Sequence, residues 1–298
     1  MRISKVLGPR DSDMRTNLKG KIRNYNVPKD NPLLALHEAV VNSFHSIYEA
    51  RTQNRHAGSI TVRILREDTS GNPIVPINGF SVTDDGIGFN DTNFESFCTA
   101  ESTNKEDIGG KGVGRFAWLV VFKKAEVDSV YGTHAGTFRR AFIFNDLLEE
   151  NLAGTPCTGS ETSTTVKMVG AQEDYYRQIP KNIGDIAQAL VEHCAPLLMR
   201  DDAPAFTLID GETSVDLLAH FHEFRSRDAY TDNIVVGGKD FTAIVFRFKK
   251  GHHKISFAAH GRLVTSRNVK KMLPGIPATL GDDEFVIACY VQGAVLDA

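Results

Sequence analysis

The stretch "EDIGGKGVGRFAW", residues 106–118, sets glycine at 109, 110, 112 and 114 and then turns at once into an apolar run holding the chain's one tryptophan, Trp118. Glycine at that density costs folding entropy, so it marks backbone that must take positive φ or come very close to another group. A tight surface turn meets that need. So does a phosphate cradle, in which N–H groups at a helix start face an anion with the helix dipole behind them. The stretch alone does not separate the two; its neighbours must.

Several familiar motifs are absent. "GGKGVGR" has no GxxxxGK[ST], and "GVGRFA" matches the dinucleotide fingerprint loosely and follows a loop rather than a strand. "DDGIGFNDTNFE" lacks the ligand spacing and central glycine of a calcium loop. With 298 residues, 41% of them hydrophobic and 24% charged, the chain can bury one large core or two smaller ones. A net charge of −3 gives no global basic field, so nucleic acid is neither indicated nor excluded as a partner. Cys98, Cys157, Cys194 and Cys289 show no CxxC spacing, which argues against a zinc site or a disulfide framework and fits a reducing, cytoplasmic setting. No apolar run approaches a membrane span, and no signal-peptide pattern opens the chain; the expectation is a protein off the membrane.

Residues 1–29 read as a polar N-terminal arm, and a helix follows from near Pro32 to about Arg51. Strands are expected at "SITVRILRE" and "GFSVTDD", a short helix near "NFESF", a helix over "GVGRFAWLVVF", strands at "AEVDSVY", "TFRRAFIF" and "TTVKMV", and a long helix over "IGDIAQALVEHCAPLLMR". After Asp201–Pro204 the pattern shifts to strands at "AFTLI", "FTAIVFRF", "HKISFAAHGRLV" and "EFVIACYVQ", which places a second domain at 201–298 after a first at 30–200.

On the first long helix, Leu33, Leu36, Val40, Phe44 and Ile47 form an apolar stripe, while Glu38, Asn42 and His45 converge on the opposite side. That polar face can simply meet water. It can also pair a carboxylate that deprotonates a water with an amide oxygen that ligates a hard cation such as Mg²⁺. "SVTDDGIGF" ends a strand in two carboxylates followed by Gly86 and Gly88. It is either a plain turn or an aspartate that accepts a hydrogen bond from an exocyclic amine, with glycines clearing room for a flat ring.

The ordered set of Glu38 and Asn42 on a helix, "DDGIG", "GGKGVG" before a helix and "STTVKM" on a strand resembles the GHKL ATPase superfamily over roughly residues 30–200. Its members include gyrase B, the MutL mismatch-repair proteins, heat-shock chaperones, MORC proteins and sensor histidine kinases. The resemblance implies an α+β fold: a Bergerat-type α/β sandwich, its mixed, mostly antiparallel sheet covered by helices on one face. It further implies that Glu38 is the general base, Asn42 the magnesium ligand and Asp84 the adenine-recognising aspartate, with Gly86 and Gly88 beside it. Gly109, Gly110, Gly112 and Gly114 would form the phosphate cradle, from which a helix starts at about Val113, and Lys105 or Lys111 would reach phosphate from a lid. Thr164 would be a second polar contact near adenine. This chain has His45 where the family carries aspartate and Ser163 where glycine precedes the threonine.

"KISFAAHGRLVTSR" is similar to a strand and turn of the transducer domain that follows the ATPase in gyrase B, MutL and the chaperones, with His260 in place of asparagine before Gly261 and Arg262. Histidine kinases lack it, so the likeness is nearest the MutL, MORC and chaperone branch. The resemblance implies ATP and Mg²⁺ as cofactors, slow ATP hydrolysis, a homodimer formed on ATP binding, and downstream domains or a client protein; the chain is expected to be the N-terminal part of a longer one. A nucleotide-gated interaction module with negligible hydrolysis and a histidine-type phosphotransferase are the alternative readings.

Overall fold

Hydrophobic spacing dictates most of the elements that the chain builds. The computed structural model describes residues 18–67, 75–99, 114–145, 152–159, 161–224, 230–248, 251–259, 262–282 and 284–296. In chain order these form α1 (Leu18–Asn24), α2 (Leu34–Thr52), β1 (Ser59–Arg66), β2 (Ile77–Asp84), α3 (Asp91–Cys98), α4 (Phe116–Val121), β3 (Phe122–Thr133), β4 (Gly136–Phe144), β5 (Thr155–Pro156) and β6 (Ser163–Ala171). There follow α5 (Glu173–Tyr176), α6 (Ile183–Leu198), β7 (Ala205–Asp210), β8 (Thr213–Asp216), α7 (Leu217–Phe224), β9 (Tyr230–Val236), β10 (Lys239–Phe248), β11 (Lys254–Ala259), β12 (Arg262–Asn268), α8 (Val269–Met272) and β13 (Val286–Gln292).

The class is α+β, with two mostly antiparallel sheets. The first has eight strands in the order β5-β4-β3-β6-β2-β1-β7-β8, antiparallel except between β1 and β7. The second has five in the order β12-β11-β13-β10-β9, antiparallel except between β11 and β13. Strict alternation sorts the first sheet into two faces. Phe80, Val82, Val127, Phe142, Val166, Met168 and Phe206 point inward and are buried, while Ser81, Thr83, Asp128, Arg139, Thr165 and Lys167 point outward. Against the buried face pack α2, on β1 and β2, and α4, on β3. As expected, the stripe Leu33, Leu36, Val40, Phe44 and Ile47 is buried.

Four expectations need correction. The first sheet does not end near residue 200: β7 lies parallel beside β1, and Arg66 grips Asp210 with Nε at 2.8 Å and Nη2 at 2.5 Å, both side chains buried. A parallel pair requires a long crossover, so no local signal could place β7 there. The helix expected from Val113 begins at Phe116, because Gly114 and Arg115 form a turn in which the Gly114 and Arg115 carbonyls accept from Ala117 and Trp118. "HKISFAAHGRLV" is two antiparallel strands, β11 and β12, rather than one. The N-terminal arm contains α1, whose Leu18 and Ile22 pack on the core, as does Tyr25 just beyond it.

The two sheets share α6 and α7. Tyr290 Oη donates to the Glu192 carbonyl at 2.7 Å, Lys254 pairs with the Glu192 carboxylate, and Phe221 meets Phe246 edge-on with ring centroids 5.7 Å apart. Buried apolar residues from both sheets form one contiguous cluster. No helix among the described residues is long and apolar enough to cross a membrane.

Candidate functional site

On α2, Glu38, Asn42 and His45 stand at i, i+4 and i+7 and so share one face. Glu38 is half-buried, Asn42 exposed and His45 buried. One residue along in the spacing, Ser43 donates its hydroxyl to Asp84 Oδ2 at 2.8 Å, which ties the helix to the end of β2.

The two carboxylates of "DDGIG" part company. Asp85 accepts from the Gly58 and Ser59 backbone N–H groups at 2.8 and 3.0 Å and from the Ser59 hydroxyl at 2.9 Å, stapling the start of β1. Asp84 turns inward, is 5% exposed, and accepts from the Gly86 N–H at 3.0 Å as well as from Ser43. Burial pushes its carboxyl up to about 6, against the opposing pull of the hydrogen bonds from Ser43, Gly86 and Ser46. The glycines have separate causes. A β-carbon on Gly86 would overlap Ser46, whose carbonyl accepts from the Ile87 N–H at 3.1 Å. Gly88 has φ +78°, and a β-carbon there would come within 2.9 Å of Ser129 and Tyr131.

Sheet register then sets a row of polar groups across the buried face. Asp84 pairs with Thr164, Thr164 with Ser129, and Ser129 with Arg140, on adjacent strands β2, β6, β3 and β4. All four are buried. The Ser129 and Thr164 hydroxyls lie 2.8 Å apart, and Ser129 Oγ accepts from the Phe89 N–H at 2.9 Å. Arg140 donates to the Phe89 carbonyl, to the Leu152 carbonyl at 3.0 Å and to Asp91 at 2.5 Å, and stacks over Phe94. The far half of the row thus holds the loop after β2 in place.

This loop, α2, α3 and the Gly114–Arg115 turn line a cavity that opens to solvent. Glu38, Asn42, His45, Asp84, Gly88, Gly114 and Thr164 line it, together with Ser43, Asn93 and the aromatic walls Phe89, Phe97 and Trp118. At its other end a β-carbon on Gly114 would overlap the Glu38 carboxylate, so the glycine gives Glu38 its seat. Arg115 stacks over Phe97 at 5.0 Å and donates to the Thr99 carbonyl at 3.1 Å; burial brings its guanidinium down to about 10. Among the described residues no cluster of three or more His, Cys, Asp or Glu can hold a metal.

Of the residues singled out from the sequence, Glu38, Asn42, Asp84, Gly88, Gly114 and Thr164 come together, and Gly86 lies beside them against α2. Lys105, Gly109, Gly110, Lys111, Gly112, Val113, His260 and Gly261 lie outside the described residues. Compared with known protein families the chain matches none, and no curated protein matches it.

Sequence reasoning missed Ser43, Ser129 and Arg140. Two of them carried a signal: Ser129 falls in the phase of Ala125, Val127 and Tyr131, and Arg140 in that of Phe142 and Phe144. A polar group in the apolar phase of a strand must find buried partners, which marks it for a network.

Proposed function

We propose that the chain is a magnesium-dependent ATPase module of the GHKL type, its first sheet and helices serving as a Bergerat-type sandwich and its second sheet as the start of a transducer. The convergence of Glu38, Asn42, Asp84, Gly88, Gly114 and Thr164 on one aromatic-walled cavity carries this reading. A buried carboxylate flanked by a hydroxyl suits an amino-bearing purine edge. Adenine offers Asp84 an exocyclic N–H donor, whereas a carbonyl at that edge would meet repulsion and leave the carboxylate unsatisfied. The aromatic lining from Phe89, Phe97 and Trp118 suits an apolar ring.

Magnesium keeps several waters and takes its other ligands from phosphates and one or two side chains, which fits an exposed amide, Asn42, without a cluster of carboxylates. When bound, the ion neutralises phosphate charge and polarises the reacting phosphoryl group. Glu38 orients a water and accepts its proton as the water oxygen bonds to the γ-phosphorus and the bond to the ADP oxygen breaks. The rest is positioning: Gly114 leaves Glu38 its place, and the Asp84 end fixes the base. By the same resemblance, ATP binding would pair two N-terminal domains and act on a downstream domain or client.

Titration calorimetry with a non-hydrolysable ATP analogue and Mg²⁺, run beside a phosphate-release assay, tests this. Glu38→Ala should bind the analogue as the parent does and lose roughly 10²–10⁴-fold in turnover. A parent chain that fails to bind the analogue overturns the nucleotide assignment; a Glu38→Ala variant that releases phosphate at the parent rate overturns the role of the base.

A further inference from the structure

Sheet edges expose unpaired backbone N–H and C=O groups, and proteins guard them with short strands, charges, proline or bulges. Among the described residues, three of the four sheet edges follow that rule. β5 has two residues, one of them Pro156. β8 has four and runs straight into α7. β12 carries Arg267 and a register shift against β11. The fourth does not. β9, Tyr230–Val236, is seven residues long, pairs with β10 without a shift, and holds one charge, Asp232. Tyr230, Val235 and Val236 are 62%, 68% and 60% exposed, equalled among the exposed large hydrophobics of the described residues only by Leu273 at 60%. Its composition of Tyr, Thr, Ile and Val is that of a strand built to pair. A two-residue turn at Gly237 and Gly238, with φ +57° and +72°, fixes the hairpin that presents it.

We propose that β9 pairs antiparallel with β9 of a second copy of this chain, across a two-fold axis at Asn233, joining two five-stranded sheets into one. The strand is its own complement in that register. Tyr230 faces Val236 of the second copy, Thr231 faces Val235, and Asp232 faces Ile234, so every residue of the strand is paired and the one charge avoids itself. Faces must match, so the register can move the axis only to a neighbouring residue. Centring it on Asp232 sets two carboxylates opposite each other; centring it on Ile234 leaves Tyr230 facing a glycine of the turn. The Tyr230–Val236 contacts are aromatic with β-branched, a stabilising cross-strand combination, and the assembly closes as an isologous dimer. Nucleotide takes no part in it, so it stands apart from the ATP-gated pairing above.

Sedimentation velocity on the chain without nucleotide should show a dimer at micromolar concentrations. Ile234→Asp sets a carboxylate against Asp232 of the second copy and should give a monomer, whereas Ile234→Lys sets an ammonium there and should keep the dimer; circular dichroism checks that both fold. In a background with Cys98, Cys157 and Cys289 changed to Ser, Asn233→Cys should cross-link to itself under mild oxidation. Thr231→Cys should cross-link only when mixed with Val235→Cys. A chain that stays monomeric, Asp and Lys variants that behave alike, or cross-links out of this register would each overturn the proposal.

Discussion

The Asp84 end of the cavity and the Glu38 end are built by different means. Asp84, Thr164, Ser129 and Arg140 sit on four neighbouring strands, so ladder hydrogen bonds set their spacing before any side chain acts. Glu38 and Asn42 sit on one helix face, and the Glu38 carboxylate lies against the turn at Gly114, where a β-carbon would overlap it. Groups held by a sheet suit recognition of a rigid ring. Groups held by a helix and a turn suit a step in which the reacting atoms must be adjusted. In the proposed reading the first end binds and the second reacts, and the two should therefore fail separately.

The sharpest way to break that division is at Asp84. Asp84→Asn keeps the shape of the side chain but replaces one acceptor with a donor facing Ser43 or Gly86, so affinity for the ATP analogue should fall on the order of 100-fold. Calorimetry reads this directly; unchanged affinity would mean that the base lies elsewhere. Gly114→Ala works at the opposite end. Its methyl group must push the Glu38 carboxylate from its seat, so turnover should fall about tenfold or more while analogue affinity stays within a factor of about two. If affinity and turnover fall together, the two ends are not separate.

pH should also distinguish them. Because burial raises the Asp84 carboxyl from 3.8 to about 6, the folded chain holds between those values a proton that the unfolded chain has released. The contribution of Asp84 to stability is therefore greatest below pH 4 and declines as pH rises through 6. Ligand binding runs the other way, since the adenine amine needs an ionised acceptor. Analogue affinity should drop roughly tenfold per unit below pH 6, and this dependence should vanish in Asp84→Asn. The smallest effect is expected from Gly88→Ala. With φ +78° and Ser129 close by, the variant should lose about 1–2 kcal/mol of stability, read as a lower Tm, and weaken binding only through the loop it distorts.

Much of this arrangement was legible in the chain itself. The period of 3.6 over Leu33–Ile47 gave both the buried stripe and the face that bears Glu38 and Asn42, because helix geometry converts spacing into direction without help from the rest of the fold. Alternation gave β1, β2, β3, β4 and β6 to within a few residues. What it could not give was pairing. The place of β7 beside β1, the division of labour between Asp84 and Asp85, and the row from Asp84 to Arg140 all depend on which strands are neighbours. Ser129 and Arg140 were visible as misfits in apolar phases, but only their partners explain them.

The sequence by itself determined the local elements, the faces of the first helix and the order of the polar and glycine-rich stretches, because these follow from periodicity, charge and the conformational range of glycine. Tertiary structure alone decided that Glu38, Asn42, Asp84, Gly114 and Thr164 meet around one cavity, that the first sheet continues through β8, and that β9 is, among the described residues, an edge with one charge. The physical reason is the same in each case: strand neighbours are chosen by burial and backbone pairing over the whole chain, and these long-range choices leave no periodic trace in any one segment.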